Sequence, residues 1–345
     1  MGSQCLTACG TAPLGTGAVV RAFRRGLCPH QWAVIALLGL TLAAYAPVWT
    51  FGWLYDDLGW LPLTETTQPV SPGARVFWIA EWLGGGLPWA YHGLILGLHL
   101  LNGWFLWALA RRWMAPLGAT VALLLFWLHP VQREAVAYVS GGVEVLLTTY
   151  GLIAALGLVC GGWLGLSVAG LALWLAVTLK PSAMALLLVV PWLHRRGWMA
   201  VVGGSLWAAW HWGASAQGWI TASAHTVGDV TAWAAAVLRY LAFIVWPVGF
   251  SLEHDWRAVT PLVGGLCLVA LGWLMVWAWR WMPSRLASLA VLAFLVPRLA
   301  VPNAPPLTEH HTYLAFLAVW LMVGAAVEAI HNRGTTWLMP VKHSI

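Results

Sequence analysis

The sequence predicts an all-α polytopic membrane protein, and three observations carry that expectation. Of its 345 residues 61% are hydrophobic and 8% are charged, whereas an ordinary soluble domain carries about 25% charged residues. A soluble fold with so little charge could not cover its own surface. The mean hydropathy is +0.78, and apolar runs of about 20 residues, the length that spans a bilayer, recur along the chain. The 28 tryptophans are the third sign, because indole favours the headgroup region, where the ring is buried and its N–H stays wet. Trp49, Trp53, Trp78, Trp82, Trp89, Trp113, Trp198 and Trp256 stand near the ends of apolar runs. No polar linker divides the chain. One membrane domain is expected over residues 31–331, with a basic tail at 1–30 and a short tail at 332–345.

The net charge of +6 is not read as a nucleic-acid signal, because the basic residues lie in small clusters beside apolar runs. Such clusters stay on the cytoplasmic side and set orientation. Arg21, Arg24 and Arg25 therefore place the N-terminus inside, and the first crossing, Gln31 to Trp49, leads outward. The first outer loop, 51–90, holds Asp56, Asp57, Glu65, Arg75 and Glu81 among several prolines and is too polar and broken to span. An interfacial helix from Gly73 to Leu83 is expected in it, with Gly84-Gly85-Gly86 as a hinge. The second crossing, Tyr91 to Leu109, returns to Arg111 and Arg112 inside; the third, Leu117 to Leu128, goes out to His129-Pro130. Val143 to Val159 comes back, Leu164 to Leu179 goes out to Lys180-Pro181, and Ser182 to Trp192 ends inside at Arg195 and Arg196. Trp198 to Trp212 is the seventh. The stretch Trp233 to Phe250 is read as an outer re-entrant or interfacial helix, since this lets Pro261 to Trp279 end inside at Arg280 and Arg285. Leu286 to Leu299 and Tyr313 to Ile330 complete a bundle of about ten crossings with both termini cytoplasmic.

Polar groups in or beside a membrane domain are costly, so their placement is informative. In this topology Asp56, Asp57, Glu65, Glu81, Glu134, Asp229, Glu253, Asp255 and Glu309 fall on the outer side. His129, Arg133, Lys180, His254, Arg298, His310 and His311 fall there too, with Glu144 near the outer end of its helix and Glu328 near the cytoplasmic end. Carboxylates at such a surface can serve as bases or sugar ligands, and cations can hold an anion such as phosphate. The plainer alternative is that wet loops tolerate charge. A divalent metal on His254, Glu309, His310 and His311 is the weaker reading, because no His-x-x-x-His or Cys-x-x-Cys spacing occurs. The five cysteines form no disulfide framework. No phosphate-binding glycine loop or dinucleotide fingerprint is present, and no cofactor is firmly implied.

The order of motifs adds a family likeness. Tyr55-Asp56-Asp57 follows the first crossing, and Tyr91-His92 leads to His99-Leu100-Leu101-Asn102. Then come Leu125 to Gly141, containing His129-Pro130-Val131-Gln132-Arg133-Glu134, then Leu179-Lys180-Pro181, the stretch from Tyr240 through Trp246-Pro247 to Leu252, and Glu309-His310-His311-Thr312-Tyr313-Leu314. Over roughly Gln31 to Ile330 this resembles the membrane half of the GT-C glycosyltransferases. The nearest likeness is to the transmembrane-and-tetratricopeptide O-mannosyltransferases and their bacterial relatives. The resemblance implies a GT-C-like fold and a sugar donor carried on a polyprenyl phosphate. It also implies transfer to a protein or glycan acceptor outside the cytoplasm, beside membrane lipid. Asp56 or Asp57 becomes the catalytic carboxylate. Arg133, Glu134, Lys180, Arg298, Glu309 and His310 become donor phosphate or sugar ligands. The sequence departs from the family where Glu309 is followed by His310 rather than Arg, and no tetratricopeptide repeats follow the last crossing.

Two other classes fit the composition: a non-catalytic GT-C-like scaffold subunit, and a transporter of lipid or small solute. A transporter would show paired broken helices or an internal repeat, and neither is evident in the sequence. The short loops lead to an expected bacterial inner membrane. Adjacent residues point in different directions, so one of Asp56 and Asp57 is expected to face a cavity and the other to cap a helix or meet solvent. Asp56, nearer the crossing, is favoured as the base.

Overall fold

A computed structural model describes residues 29–54, 57, 72–180, 183, 186–187, 203, 207, 235, 238–243, 245–247, 260–278 and 312–332. These residues are mostly helical, with no strand among them. Helix α1 covers Pro29–Ala44 and runs into a 3-10 turn, Ala46–Thr50. The sequence suggests one unbroken helix here, but Pro47 has no N–H to donate and tightens the last turn. A second 3-10 turn, Pro72–Val76, leads to α2, Phe77–Gly84. Helix α3 is Pro88–Ala110 and α4 is Pro116–Leu128. Each opens on a proline, whose fixed φ suits the first helical turn and whose missing N–H would find no partner there. The turn Pro130–Gln132 and the short α5, Arg133–Ala137, precede α6, Gly142–Cys160. Helix α7 is Gly162–Leu179, α8 is Pro261–Ala278 and α9 is Tyr313–His331.

Among the described residues, five helical stretches are long and apolar enough to cross a membrane: Pro29–Thr50, Pro88–Ala110, Gly142–Cys160, Gly162–Leu179 and Tyr313–His331. Helix α4 is a shorter apolar helix, and α8 is an apolar helix of 18 residues. The crossings expected at Ser182–Trp192 and Trp198–Trp212 lie almost wholly outside the described residues, and Leu286–Leu299 lies entirely outside them. In the stretch Trp233–Phe250, residues 238–243 are helical and bury Tyr240 and Phe243; its relation to the bilayer lies outside the described residues.

Side-chain contacts fix the helix directions. Gly118, at the start of α4, meets Gly324 and Glu328 late in α9, while Phe126 and Tyr313 stack edge-on 5.3 Å apart at the other end. The two helices are therefore antiparallel. Helices α3 and α6 are parallel, since Ile95 meets Gly142 and Asn102 donates to the Val145 carbonyl. Helices α6 and α7 form an antiparallel hairpin packed through Gly157 and Gly165. One end of the bundle thus gathers the starts of α3, α6 and α9 and the ends of α1, α4 and α7. The opposite end carries Arg111, Arg112, Cys160 and Glu328, with an Arg112 nitrogen 3.6 Å from the Cys160 sulfur.

The core contains Phe77, Tyr91, Ile95, Leu106, Phe126, Trp127, Tyr313 and Trp320, all essentially inaccessible. Lipid tails are as apolar as leucine, so such helices associate through close packing and hydrogen bonds rather than hydrophobic burial. Small residues make that closeness possible. A Cβ on Gly324 would lie 2.3 Å from the Gly118 carbonyl oxygen, so only glycine permits this approach of α4 to α9. Polar links reinforce it. His99 lies between the Tyr313 hydroxyl, 2.6 Å from Nδ1, and the Trp127 carbonyl, 3.3 Å from Nε2. A carbonyl only accepts, so Nε2 donates to Trp127 and Nδ1 accepts from Tyr313. The outward faces of α1, α7 and α8 leave Leu40, Trp163, Leu164, Leu262 and Val269 exposed, as side chains meeting lipid would be.

Candidate functional site

The end of the bundle that gathers the starts of α3, α6 and α9 also collects the described residues that sequence placed on the outer side. The chain leaves the 3-10 turn at Thr50 in extended form and reaches Asp57, which is 1% exposed. Both oxygens of its carboxylate accept hydrogen bonds. One oxygen accepts from the Leu54 N–H at 3.0 Å. The other accepts from the Ser140 N–H at 2.8 Å and the Ser140 hydroxyl at 2.5 Å. Ser140 lies in the turn just before α6, where helix-terminal N–H groups favour an anion. Asp57 therefore clamps the first loop onto the α5–α6 turn. Asp56, the other member of the pair, lies outside the described residues, as do Arg298, Glu309 and His310.

Lys180 and Glu144 form an ion pair across the ends of α7 and α6, with the lysine side chain 29% exposed and the glutamate 5%. Glu144 occupies the first turn of α6, where a carboxylate also meets the positive end of the helix. Arg133 opens α5 and is exposed, while Glu134 beside it is buried. Helical neighbours on so short an element point apart, so these adjacent residues do not share one direction. His129 is a structural residue: its Nδ1 accepts from the Val131 N–H at 3.3 Å, capping the 3-10 turn, and its ring lies 4.8 Å from that of Trp320.

The expected hinge at Gly84-Gly85-Gly86 is a tight turn, with φ of +57° at Gly85 and +81° at Gly86. It folds α2 back on α3, where the Tyr91 hydroxyl donates to the Glu81 carboxylate. The outward face of α2 leaves Trp78, Ile79, Trp82 and Leu83 exposed, the pattern of an interfacial helix. The expected helix Gly73–Leu83 is thus a 3-10 turn followed by α2. His92 is buried near this loop, edge-on to Phe51 at 6.2 Å.

Sequence reasoning missed Ser140 as the partner of Asp57 and Glu144 as the partner of Lys180. An acid in the first turn of a membrane helix was a usable signal for Glu144, because such a charge needs a partner. Among the described residues no group of three or more His, Cys, Asp or Glu side chains could hold a metal ion. No family model, curated protein or solved structure matches this chain.

Proposed function

We propose that this protein is an integral membrane glycosyltransferase that moves a sugar from a polyprenyl-phosphate donor to an acceptor on the extracytoplasmic side. The reading includes a GT-C-like bundle of about ten crossings with cytoplasmic termini in a bacterial inner membrane. The observation that carries it is that the Asp57–Ser140 contact, the Glu144–Lys180 ion pair and the exposed Arg133 all lie toward one end of an apolar bundle. A lipid-linked donor needs this arrangement: an apolar body for its tail and charges at the surface for its phosphate and sugar.

The chemistry follows from that division. The acceptor hydroxyl oxygen attacks the anomeric carbon while the bond from that carbon to the phosphate oxygen breaks. The acceptor proton passes to a carboxylate, and the polyprenyl phosphate leaves with the bonding electrons. Asp57 has no oxygen left uncommitted, so the base in this reading is Asp56, and Asp57 fixes the loop that carries it. Lys180, Arg133 and Arg298 are the cations proposed to meet the charge growing on the leaving phosphate. Glu134, Glu309 and His310 complete the set of proposed donor ligands.

The test is to incubate purified protein with radiolabelled polyprenyl-phosphate sugars and follow donor consumption and product formation. Transfer that Asp56→Asn abolishes supports the reading. Asp57 also supports a second one: its carboxylate is packed shut, as a non-catalytic scaffold subunit would allow. Absence of transfer with every lipid-linked sugar and acceptor would establish the scaffold as the better reading.

A further inference from the structure

Resting on that reading, we infer that Glu144 is a positioning residue which competes with phosphate for Lys180 and thereby sets the release of the spent lipid carrier. Glu144 is almost wholly buried while its partner is part-exposed, so the pair presents its cationic member outward. An ammonium has three donors, and Glu144 engages one side of it. The pair also begins one helical turn beyond Ser140, the residue that holds Asp57. Lys180 is thus a cation at the rim of the proposed site with a built-in rival for any anion.

The reaction makes such a rival useful. The donor is a phosphodiester with one negative charge. The departing carrier is a phosphomonoester carrying about −1.5 to −2 at neutral pH. An unopposed lysine would hold product more tightly than donor. A carboxylate already paired with the lysine offsets part of that attraction and affects the more highly charged product most. Opposite substitutions should then have opposite effects, which a merely structural ion pair would not produce.

The experiment measures equilibrium binding of radiolabelled polyprenyl monophosphate and of a polyprenyl-phosphate sugar to the full chain in lipid nanodiscs, with neutral polyprenol as control. Glu144→Gln should tighten monophosphate binding roughly tenfold and diester binding less, whereas Lys180→Gln should weaken both. Glu144→Asp keeps the charge and should stay near wild type; Glu144→Ala removes it with a smaller side chain and should repeat the tightening if Glu144→Gln folds poorly. In transfer assays Glu144→Gln should show later turnovers slower than its own first turnover, as carrier accumulates on the enzyme, whereas the wild type should not. Weakened binding in both Glu144→Gln and Lys180→Gln, or unchanged binding in Glu144→Gln beside a wild type that binds, would overturn the role of Glu144 alone. A wild type that binds neither lipid would overturn the donor reading and this inference together.

Discussion

A single carboxylate, Asp57, accepts three hydrogen bonds from Leu54 and Ser140 in a nearly inaccessible place. Hydrogen bonds to a charged group are worth about 1.5–3 kcal/mol each, and orphaned donors add a further cost. Asp57→Ala should lower unfolding stability by about 2–4 kcal/mol, and Ser140→Ala, which loses one hydrogen bond to a charged group, by about 1.5–3 kcal/mol. A double-mutant cycle read by thermal unfolding should show the losses falling short of additive; strict additivity would mean that the clamp contributes nothing as a unit. Asp56→Asn should leave the melting point unchanged and slow transfer by about 100- to 10,000-fold. The acid pair itself was legible in the sequence, although Asp56 lies outside the described residues. The identity of the clamp was not, because Ser140 lies 83 residues away, beyond any local pattern.

At the scale of helices, the sequence foretold more. The runs beginning at Gln31, Tyr91, Leu117, Val143, Leu164, Pro261 and Tyr313 all lie on helices, because apolar length is a local property that survives folding. The break after α1 and the short α5 were not foreseen; the first turns on one proline, the second on a few residues too short to show a period. Packing between helices was less legible still, since glycine spacing does not say which helix it meets. The contact of Gly324 with Gly118 can be tested directly. Gly324→Ala should separate α4 from α9 and cost about 1–3 kcal/mol of stability. Gly97→Ala on α3, which has nothing within 4 Å of its added Cβ, should hold or raise stability, by up to about 1 kcal/mol. Equal losses in the two variants would argue against a close α4–α9 approach.

For the whole molecule, the expectation is a sidedness. A reporter fused after Ile345 and one inserted near Arg111 should both read cytoplasmic, and one near Gln68 should read external, because basic clusters stay inside. Reporters near Gln68 and Arg111 on the same side would remove the α3 crossing and, with it, the separation of the polar end from the end bearing Arg111 and Arg112. In the structure these ends are divided by the length of α3, 23 residues, or about 35 Å at 1.5 Å per residue, which suffices to cross a hydrocarbon core of about 30 Å.

The hydrogen bond between His99 and Tyr313 joins groups 214 residues apart, which bears on how the chain is made. Synthesis proceeds at about 5–20 residues per second, so α3 enters the bilayer roughly ten seconds or more before α9 emerges. Over that interval the imidazole lacks its hydroxyl partner, and the glycine surface of α4 lacks the helix that covers it. The nascent bundle therefore stays unclosed at this contact until α9 arrives. A chain ended before Tyr313 should be inserted yet degraded faster than the full chain in a pulse-chase experiment. Supplying α9 as a separate membrane segment should lengthen its lifetime; no gain in lifetime would show that the late helix is not what closes the bundle.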